Sequence, residues 1–271
     1  MKKSHKWQVA SGRNKRATTA CHLSRVTCHA FTLIELLVVT AVMAILAALV
    51  LPTLARSKAA TQCAACESNL RQLGLAAELY WSDNGGNGFP LWTTANFLGK
   101  TWWFGWLASG TDGQRAFDLS RGALFPYLHG NDVRLCPLLD RSVNPQFQPK
   151  GTNTIFSYGC NRYLFPDLSQ PRVNASRLVQ PTDIAVFADA ASVDDFLQAT
   201  VELKEWYYLD LETNYGSLKN YPNGHFRHAQ KANVTFADGH VDLEKAVPNS
   251  FDPRLPDQCI GQLRPEILLV P

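Results

Sequence analysis

An almost wholly apolar stretch near the N-terminus, residues 31–51, constrains this chain more than any other feature. It reads FTLIELLVVTAVMAILAALVL, and Glu35 is its one charged residue. A helix of this length, rising about 1.5 Å per residue, spans a hydrocarbon core of roughly 30 Å. The apolar core of a secretory signal peptide is shorter, at about 7–15 residues. We therefore predict a transmembrane helix over residues 31–51.

The single acid in this helix needs an explanation. A carboxylate at mid-bilayer costs about 2.5–3.5 kcal/mol, and less near a helix end. Glu35 lies only four residues after Phe31, at the front of the stretch. A carboxylate in a low-dielectric environment needs a cationic partner. The alternative is a plain single-pass anchor in which Glu35 has no role.

The residues around Glu35 carry a family pattern, AFTLIELLV from Ala30 to Val38. This pattern resembles the N-terminus of type IV pilins and type II secretion pseudopilins. The resemblance implies cleavage between Ala30 and Phe31 by a prepilin peptidase, which also N-methylates the new Phe31 amine. It implies that Glu35 neutralises the N-terminal amine of a neighbouring subunit during assembly. The family almost always has Gly where this chain has Ala30, and it often has a proline where this chain has Pro52.

The charge distribution predicts the topology. Seven of the 26 basic residues and none of the 23 acidic residues lie in the leader, residues 1–30. Removing the leader leaves 19 basic and 23 acidic residues, a net charge of −4. Basic residues keep the flank of a membrane helix in the cytoplasm. We expect a single-pass inner-membrane protein whose C-terminal domain is periplasmic, and no nucleic-acid partner.

The helix is predicted to continue past the membrane, over residues 31–82, with a kink at Pro52. Apolar residues repeat at helical spacing, which makes one stripe of Leu70, Leu73, Ala77 and Tyr80. The run DNGGNG at residues 83–88 is typical of a turn and ends the helix. A globular domain is predicted over residues 83–245. Residues 246–271 are rich in proline, which predicts an extended tail.

Two segments of the globular domain have strand patterns. Residues 183–190 read as a buried strand. Residues 232–243 read as a hairpin, because alternating apolar residues flank Asp238-Gly239. We therefore predict an α+β fold. As in pilins, a long N-terminal transmembrane helix is expected to pack on a C-terminal globular domain with a small antiparallel sheet.

The hairpin belongs to a longer pattern, in which His228 precedes Asp238-Gly239 by nine intervening residues. This pattern resembles the H-x9-D-G segment of a group of prepilin-like proteins that are abundant in planctomycete- and verrucomicrobia-type bacteria. Together with the N-terminal motif, the resemblance extends from about residue 30 to residue 243. The role of this group is largely undefined, so the pattern indicates a family and not a chemistry.

Residues of the same segment offer a candidate site for a divalent metal, because histidine and carboxylates are zinc ligands. The candidates are His228, Asp238 and His240, with His225 and Asp189 as further residues to consider. The alternative is that His228 and Asp238 make hydrogen bonds that tie the loop to the hairpin. Related pseudopilins bind calcium in a C-terminal loop, but the acidic pattern of that loop is not evident in this chain. No other cofactor is expected.

Five cysteines follow the leader, and four of them are candidates for a disulfide in an oxidising compartment. The pair Cys63 and Cys66 has the spacing C-x-x-C, and we expect a bond from this pair to Cys136 or Cys160. A metal or redox role for Cys63 and Cys66 is a weaker alternative, because no second C-x-x-C completes a zinc knuckle.

The function that these patterns favour is a structural one, in a pilin-like or pseudopilin-like subunit of a type II secretion or type IV pilus filament. Its expected partners are the prepilin peptidase and N-methyltransferase, other subunits and the inner membrane. The alternative is an anchored, non-polymerising module that binds glycan or a partner through a Trp-rich face, Trp92, Trp102, Trp103 and Trp106. An enzyme is not expected, since no nucleophile elbow, phosphate loop or zinc-hydrolase motif occurs.

Overall fold

A computed structural model describes residues 32–128, 133, 135–139, 144–152, 156–194, 201–211 and 223–270. The chain divides into two compact units, residues 1–51 and residues 52–271. Helix α1 (Leu33–Asp83) begins in the first unit and ends in the second. The predicted leader, which includes Ala30, and the predicted methylation residue Phe31 lie outside the described residues.

The first part of α1 is apolar on all sides. Every side chain from Leu33 to Leu51 is exposed. Within the described residues, α1 is the one helix that is long and apolar enough to cross a membrane. A helix that is apolar all round belongs in a membrane or in the interior of a larger assembly. Pro52 lies inside α1, and the kink predicted there stays a prediction.

The last part of α1 carries the stripe that packs on the domain. Leu70, Leu73 and Ala77 are fully buried, and Trp81 is nearly so. Gly74 lies on the same face, where an added Cβ would come within 2.7 Å of the Thr235 side chain. The absence of a side chain at this position therefore lets the helix approach the sheet closely.

In the described residues after α1 there are fourteen strands and a short α-helix near the C-terminus. The strands are β1 (Trp92–Asn96), β2 (Gly99–Trp102), β3 (Gly105–Ala108), β4 (Phe117–Asp118), β5 (Phe147–Gln148), β6 (Tyr158–Asn161), β7 (Ala185–Asp189), β8 (Ser192–Asp194), β9 (Glu202–Lys204), β10 (Tyr208–Leu209), β11 (Gly224–His225), β12 (Lys231–Phe236), β13 (Val241–Lys245) and β14 (Ile260–Gly261). Helix α2 spans Pro265–Leu268.

The central sheet has five strands in the order β10-β6-β7-β12-β13. The pairing is antiparallel except between β10 and β6, which run parallel. All five residues of β7 are buried, as expected for a strand covered on both faces. Strands β12 and β13 form the predicted hairpin, with Thr235 opposite Val241. The smaller sheets are β1-β2-β3-β4, β5-β9-β8 and β11-β14.

Aromatic side chains fill the core of the domain. Phe89 stacks on Phe165 with ring centroids 3.8 Å apart, and both rings lie near Phe187 of β7. Trp103 is buried, and its indole N–H donates to the Tyr207 carbonyl at 2.8 Å. Aromatic burial of this kind dominates the stability of a core.

A long apolar helix followed by a domain of small sheets confirms the predicted α+β fold. The C-terminal segment 246–271 contributes β14 and α2 to that domain. Its prolines predicted an extended tail, yet Ile260, Leu263 and Ile267 are buried. The apolar residues between the prolines are therefore packed in the core, so this segment is part of the domain.

Candidate functional site

The first turn of α1 holds Glu35 in a capping box with Thr32. The Thr32 backbone N–H and hydroxyl both donate to Oε2 of Glu35, at 2.9 and 2.8 Å. The Glu35 N–H donates back to the Thr32 hydroxyl at 3.3 Å. This reciprocal pair satisfies donors that a helix start otherwise leaves free. Sequence reasoning missed it, although the T-x-x-E spacing is the known signal for such a cap.

The helix behind this cap offers a continuous apolar surface. Leu33 is 82% exposed, and the side chains that follow it up to Leu51 are also exposed. Exposed apolar surface of this extent indicates a membrane or a protein interaction site. Glu35 is therefore the one acid at the front of a surface that needs an apolar covering.

A second group of polar residues lies buried in the domain, and we name Asp189, Arg227, His228 and Asn233 the buried polar cluster. The Asp189 carboxylate accepts from Arg227 Nη2 at 2.5 Å through Oδ1. Its Oδ2 accepts from the Asn233 N–H at 2.8 Å and from Asn233 Nδ2 at 3.1 Å. His228 Nε2 lies 3.3 Å from the same Oδ2.

Charge compensation explains why an acid is tolerated in this core. Burial raises the pKa of Asp189, but the Arg227 charge and the hydrogen bonds from His228 and Asn233 lower this pKa more, so that it lies below its usual value. The carboxylate is therefore ionised and pairs with a buried guanidinium. Neighbouring His225 is neutral, because burial and then the charge of Arg227 lower its pKa well below the usual range.

A tight turn before β12 directs His228 into the cluster. The His228 N–H donates to the Lys231 carbonyl at 3.0 Å, and the Lys231 N–H donates back at 3.1 Å. Between them, Ala229 and Gln230 have φ angles of 52° and 61°. Such left-handed conformations are uncommon outside Gly, Asn and Asp. The residue types Ala229 and Gln230 therefore do not predict a turn.

The three residues predicted as metal ligands are not brought together. His228 precedes β12, whereas Asp238 and His240 lie in the turn after it, and six strand residues span roughly 20 Å. Asp238 Oδ1 accepts from His240 Nδ1 at 2.5 Å and from the His240 N–H at 3.1 Å. Asp238 thus bonds within its own turn, whereas His228 contacts Asp189, so the alternative role for His228 and Asp238 together stays a prediction.

Gly239 of the same turn has a conformation that favours glycine, with φ of 87°. A Cβ at this position would also lie 2.8 Å from the Glu78 carboxylate on α1. The D-G pair therefore supplies both the turn conformation and the close approach of the hairpin to the helix.

One disulfide joins two of the four candidate cysteines, Cys66 of α1 and Cys136. Cys136 precedes a short 3-10 helix, Pro137–Leu139, and its N–H donates to the Ser157 hydroxyl at 2.7 Å. Cys63 and Cys160 are thiols. Burial raises the pKa of the Cys160 thiol well above its usual value, which makes this thiol unreactive.

The four tryptophans of the aromatic segment divide between core and surface. Trp103 belongs to the core, whereas Trp92, Trp102 and Trp106 are half-buried. The Lys100 ammonium lies 4.2 Å from the centroid of Trp92 and 4.6 Å from that of Trp102. Phe97, in the turn between β1 and β2, is 88% exposed.

Comparison with protein-family models identifies the prokaryotic N-terminal methylation motif over residues 25–51. No curated protein and no solved structure matches the chain. The matched segment contains the proposed cleavage site and Glu35. The match supports a type IV pilin-like precursor. A prepilin peptidase processes such a precursor, and its apolar helix anchors it in a membrane. Proteins with this motif are structural rather than enzymatic.

We expect Asp189→Ala to lower the free energy of unfolding by about 3 kcal/mol, because it leaves Arg227 buried without a counter-charge. Denaturant unfolding of the full chain in detergent, followed by tryptophan fluorescence, measures the change. Asp242→Ala removes an exposed acid of β13 and serves as the control, with an expected change of about 0.5 kcal/mol or less. Equal losses for the two variants would contradict the role of the buried pair.

Proposed function

We propose that this chain is a structural subunit, pilin-like or pseudopilin-like, that is cut between Ala30 and Phe31 and methylated at Phe31. It then assembles from the inner membrane into a filament of the type II secretion or type IV pilus kind. The observation that carries the proposal is the methylation motif at the head of a helix that is apolar and exposed on all sides. Such a filament forms by the packing of many of these helices, so the proposed function involves no catalysis.

The geometry of the capping box supports a specific role for Glu35. Both hydrogen bonds from Thr32 go to Oε2. No donor to Oε1 is found in the described part of the chain, and this oxygen can pair with a methylated, cationic Phe31 amine of the next subunit. In a low-dielectric environment an ion pair with good geometry compensates the burial of both charges. Glu35 can thus start its own helix and pair with a neighbour at the same time.

The same proposal assigns a role to each part of the chain. Residues 1–30 form a leader that keeps the N-terminus cytoplasmic until cleavage. Residues 31–82 form the helix, with residues 31–51 in the membrane or the filament interior. Residues 83–245 and the segment 246–271 form the periplasmic or extracellular part. We also propose that the chain belongs to the H-x9-D-G group of prepilin-like proteins, on the spacing of His228 and Asp238-Gly239 in the sequence.

A second candidate is an anchored module that is processed but does not polymerise. The half-buried Trp92 and Trp102 beside Lys100, together with the exposed Phe97, favour it. Partly exposed aromatic rings with a cation over their faces are suited to contact a glycan or a partner protein.

Shearing experiments separate the two candidates. The full chain is expressed with a prepilin peptidase and a filament-assembly system, and the sheared surface fraction is probed for the mature protein. The structural proposal predicts the cleaved chain in that fraction. A chain that is cleaved but stays entirely with the membrane would overturn the filament proposal and favour the binding module.

A further inference from the structure

Four buried side chains from separate parts of the domain meet at one point. They are Cys66 of α1, Cys136, Asp189 at the end of β7 and His228 in the turn before β12. Their ligand atoms, one from each residue, all lie within 4.8 Å of one another. His228 Nε2 is 3.6 Å from Cys136 Sγ and 3.3 Å from Asp189 Oδ2. Two sulfurs, one imidazole and one carboxylate are zinc ligands.

We propose that Cys66, Cys136, Asp189 and His228 bind a zinc ion when the Cys66–Cys136 disulfide is reduced. The disulfide form and the zinc form are alternative states of the same four residues. This inference goes beyond the proposed filament role and does not depend on it, because it concerns the domain and not the N-terminal motif.

The spacing of the ligand atoms fits a tetrahedral ion. Zinc bonds of about 2.0–2.3 Å place neighbouring ligand atoms about 3.3–3.8 Å apart. The two distances from His228 Nε2, 3.6 and 3.3 Å, fall in this range. Breaking the disulfide lets the sulfurs separate to the same spacing, about 3.8 Å. All four residues are buried, which is typical of a closed structural site rather than an open catalytic one.

The surrounding charges also fit a divalent ion. Two thiolates and the Asp189 carboxylate contribute three negative charges, and zinc with Arg227 contributes three positive charges. No net charge is then buried. Arg227 donates to Oδ1 of Asp189 and Asn233 donates to Oδ2, and such outer-shell hydrogen bonds to a ligand are common at metal sites.

Nε2 of His228 faces both Cys136 Sγ and Asp189 Oδ2 and is the ring nitrogen that would bind the metal. In the described part of the chain, Nδ1 of His228 has no hydrogen-bond partner. A move of the ring proton from Nε2, which faces Asp189, to Nδ1 leaves Nε2 with a lone pair for the zinc ion. The two thiols of the reduced pair likewise release their protons when zinc binds.

A phosphine reductant produces the zinc-binding state in a balanced step. One phosphine and one water react with the disulfide to give a phosphine oxide and two thiols, so two electrons pass from phosphorus to sulfur. The full chain in detergent is reduced in this way without oxygen, and metal is removed with a chelator. Zinc is then titrated against a chromophoric chelator, and cobalt(II) is used as a spectroscopic substitute.

We expect the reduced chain to bind one zinc ion and its cobalt form to show thiolate-to-cobalt charge-transfer absorption. The oxidised chain should bind neither ion at the same concentrations. A reduced, folded chain that binds no zinc would overturn the proposal. Equal binding by the oxidised chain, or a cobalt form without thiolate absorption, would also overturn it.

Variants then test the ligands individually. His228→Gln should weaken zinc binding by more than about 100-fold, because a lost ligand costs at least as much as a lost outer-shell partner. Cys259→Ser removes a thiol outside the site and should leave the affinity unchanged. Circular dichroism verifies that both variants are folded. Equal affinities in the two folded variants would contradict the assignment, and the wild-type cobalt spectrum decides the matter if His228→Gln does not fold.

Discussion

A Glu35→Gln chain is expected to be cut between Ala30 and Phe31 but to lose methylation and to enter filaments more than about 100-fold less than the natural chain. The reason is that a cationic Phe31 amine would meet a neutral amide in a low-dielectric environment. Leaving one member of a buried pair without its partner costs about 3–5 kcal/mol, which corresponds to at least two orders of magnitude in an equilibrium. Quantitative mass spectrometry of membrane and sheared fractions measures both effects.

The capping box provides a matched control for this experiment. Glu35→Gln keeps an oxygen that can accept from Thr32, so it removes the charge and preserves the cap. Thr32→Ala removes the hydroxyl and preserves the charge, at an expected cost of about 1 kcal/mol in helix stability. Thr32→Ala should therefore still assemble. If Glu35→Gln assembles as well as the natural chain, Glu35 belongs to a plain membrane anchor.

Replacing both Cys66 and Cys136 by alanine is expected to lower the free energy of unfolding by about 4 kcal/mol. The disulfide closes a loop with a sequence separation of 70 residues, and a crosslink of this span restricts the unfolded chain strongly. It also fixes the last part of α1 to the domain. Denaturant unfolding of the full chain in detergent, with a metal chelator present, measures the loss.

The remaining thiols supply the control for the disulfide. Cys259→Ala removes a cysteine that forms no disulfide in the structure, and we expect a change below about 1 kcal/mol. Reducing the natural chain in the presence of chelator should reproduce the loss seen in the double variant. A double variant as stable as Cys259→Ala would show that the bond contributes nothing to the domain.

The parts of the fold that local patterns specify were predictable from the sequence. The apolar run, its buried stripe and the DNGGNG turn define α1, which ends at Asp83, one residue from the predicted end. The hairpin around Asp238-Gly239 was predictable because alternation and turn chemistry agree there. The parallel pairing of β10 with β6 was not, since it joins segments 48 residues apart in sequence, Tyr208 with Cys160.

The sequence of the four-stranded sheet β1-β2-β3-β4 has no pattern that predicts its strands. Its strands are two to five residues long, and aromatic and glycine residues interrupt any alternation. Trp103 and Phe104 form the tight connection between β2 and β3 and are buried there. The sequence therefore indicated aromatic packing but not the strands that provide it.

The cap at Glu35 and the cluster around His228 also differ in how far the sequence could predict them. Thr32 and Glu35 interact within one helical turn, so their spacing alone indicates the contact. His228, Asp238 and His240 are close in sequence, but a strand separates them in space. The residues that do meet His228, Cys136 and Asp189, lie 92 and 39 positions before it. Only the tertiary fold brings these groups together.

Mass spectrometry of the N-terminus of the mature chain tests the central claim most directly. The chain is isolated from a membrane that contains a prepilin peptidase, and its first residue and the mass of that residue are determined. The structural-subunit account predicts a chain that begins with N-methylated Phe31. An intact Met1, or a first residue beyond position 50, would contradict it.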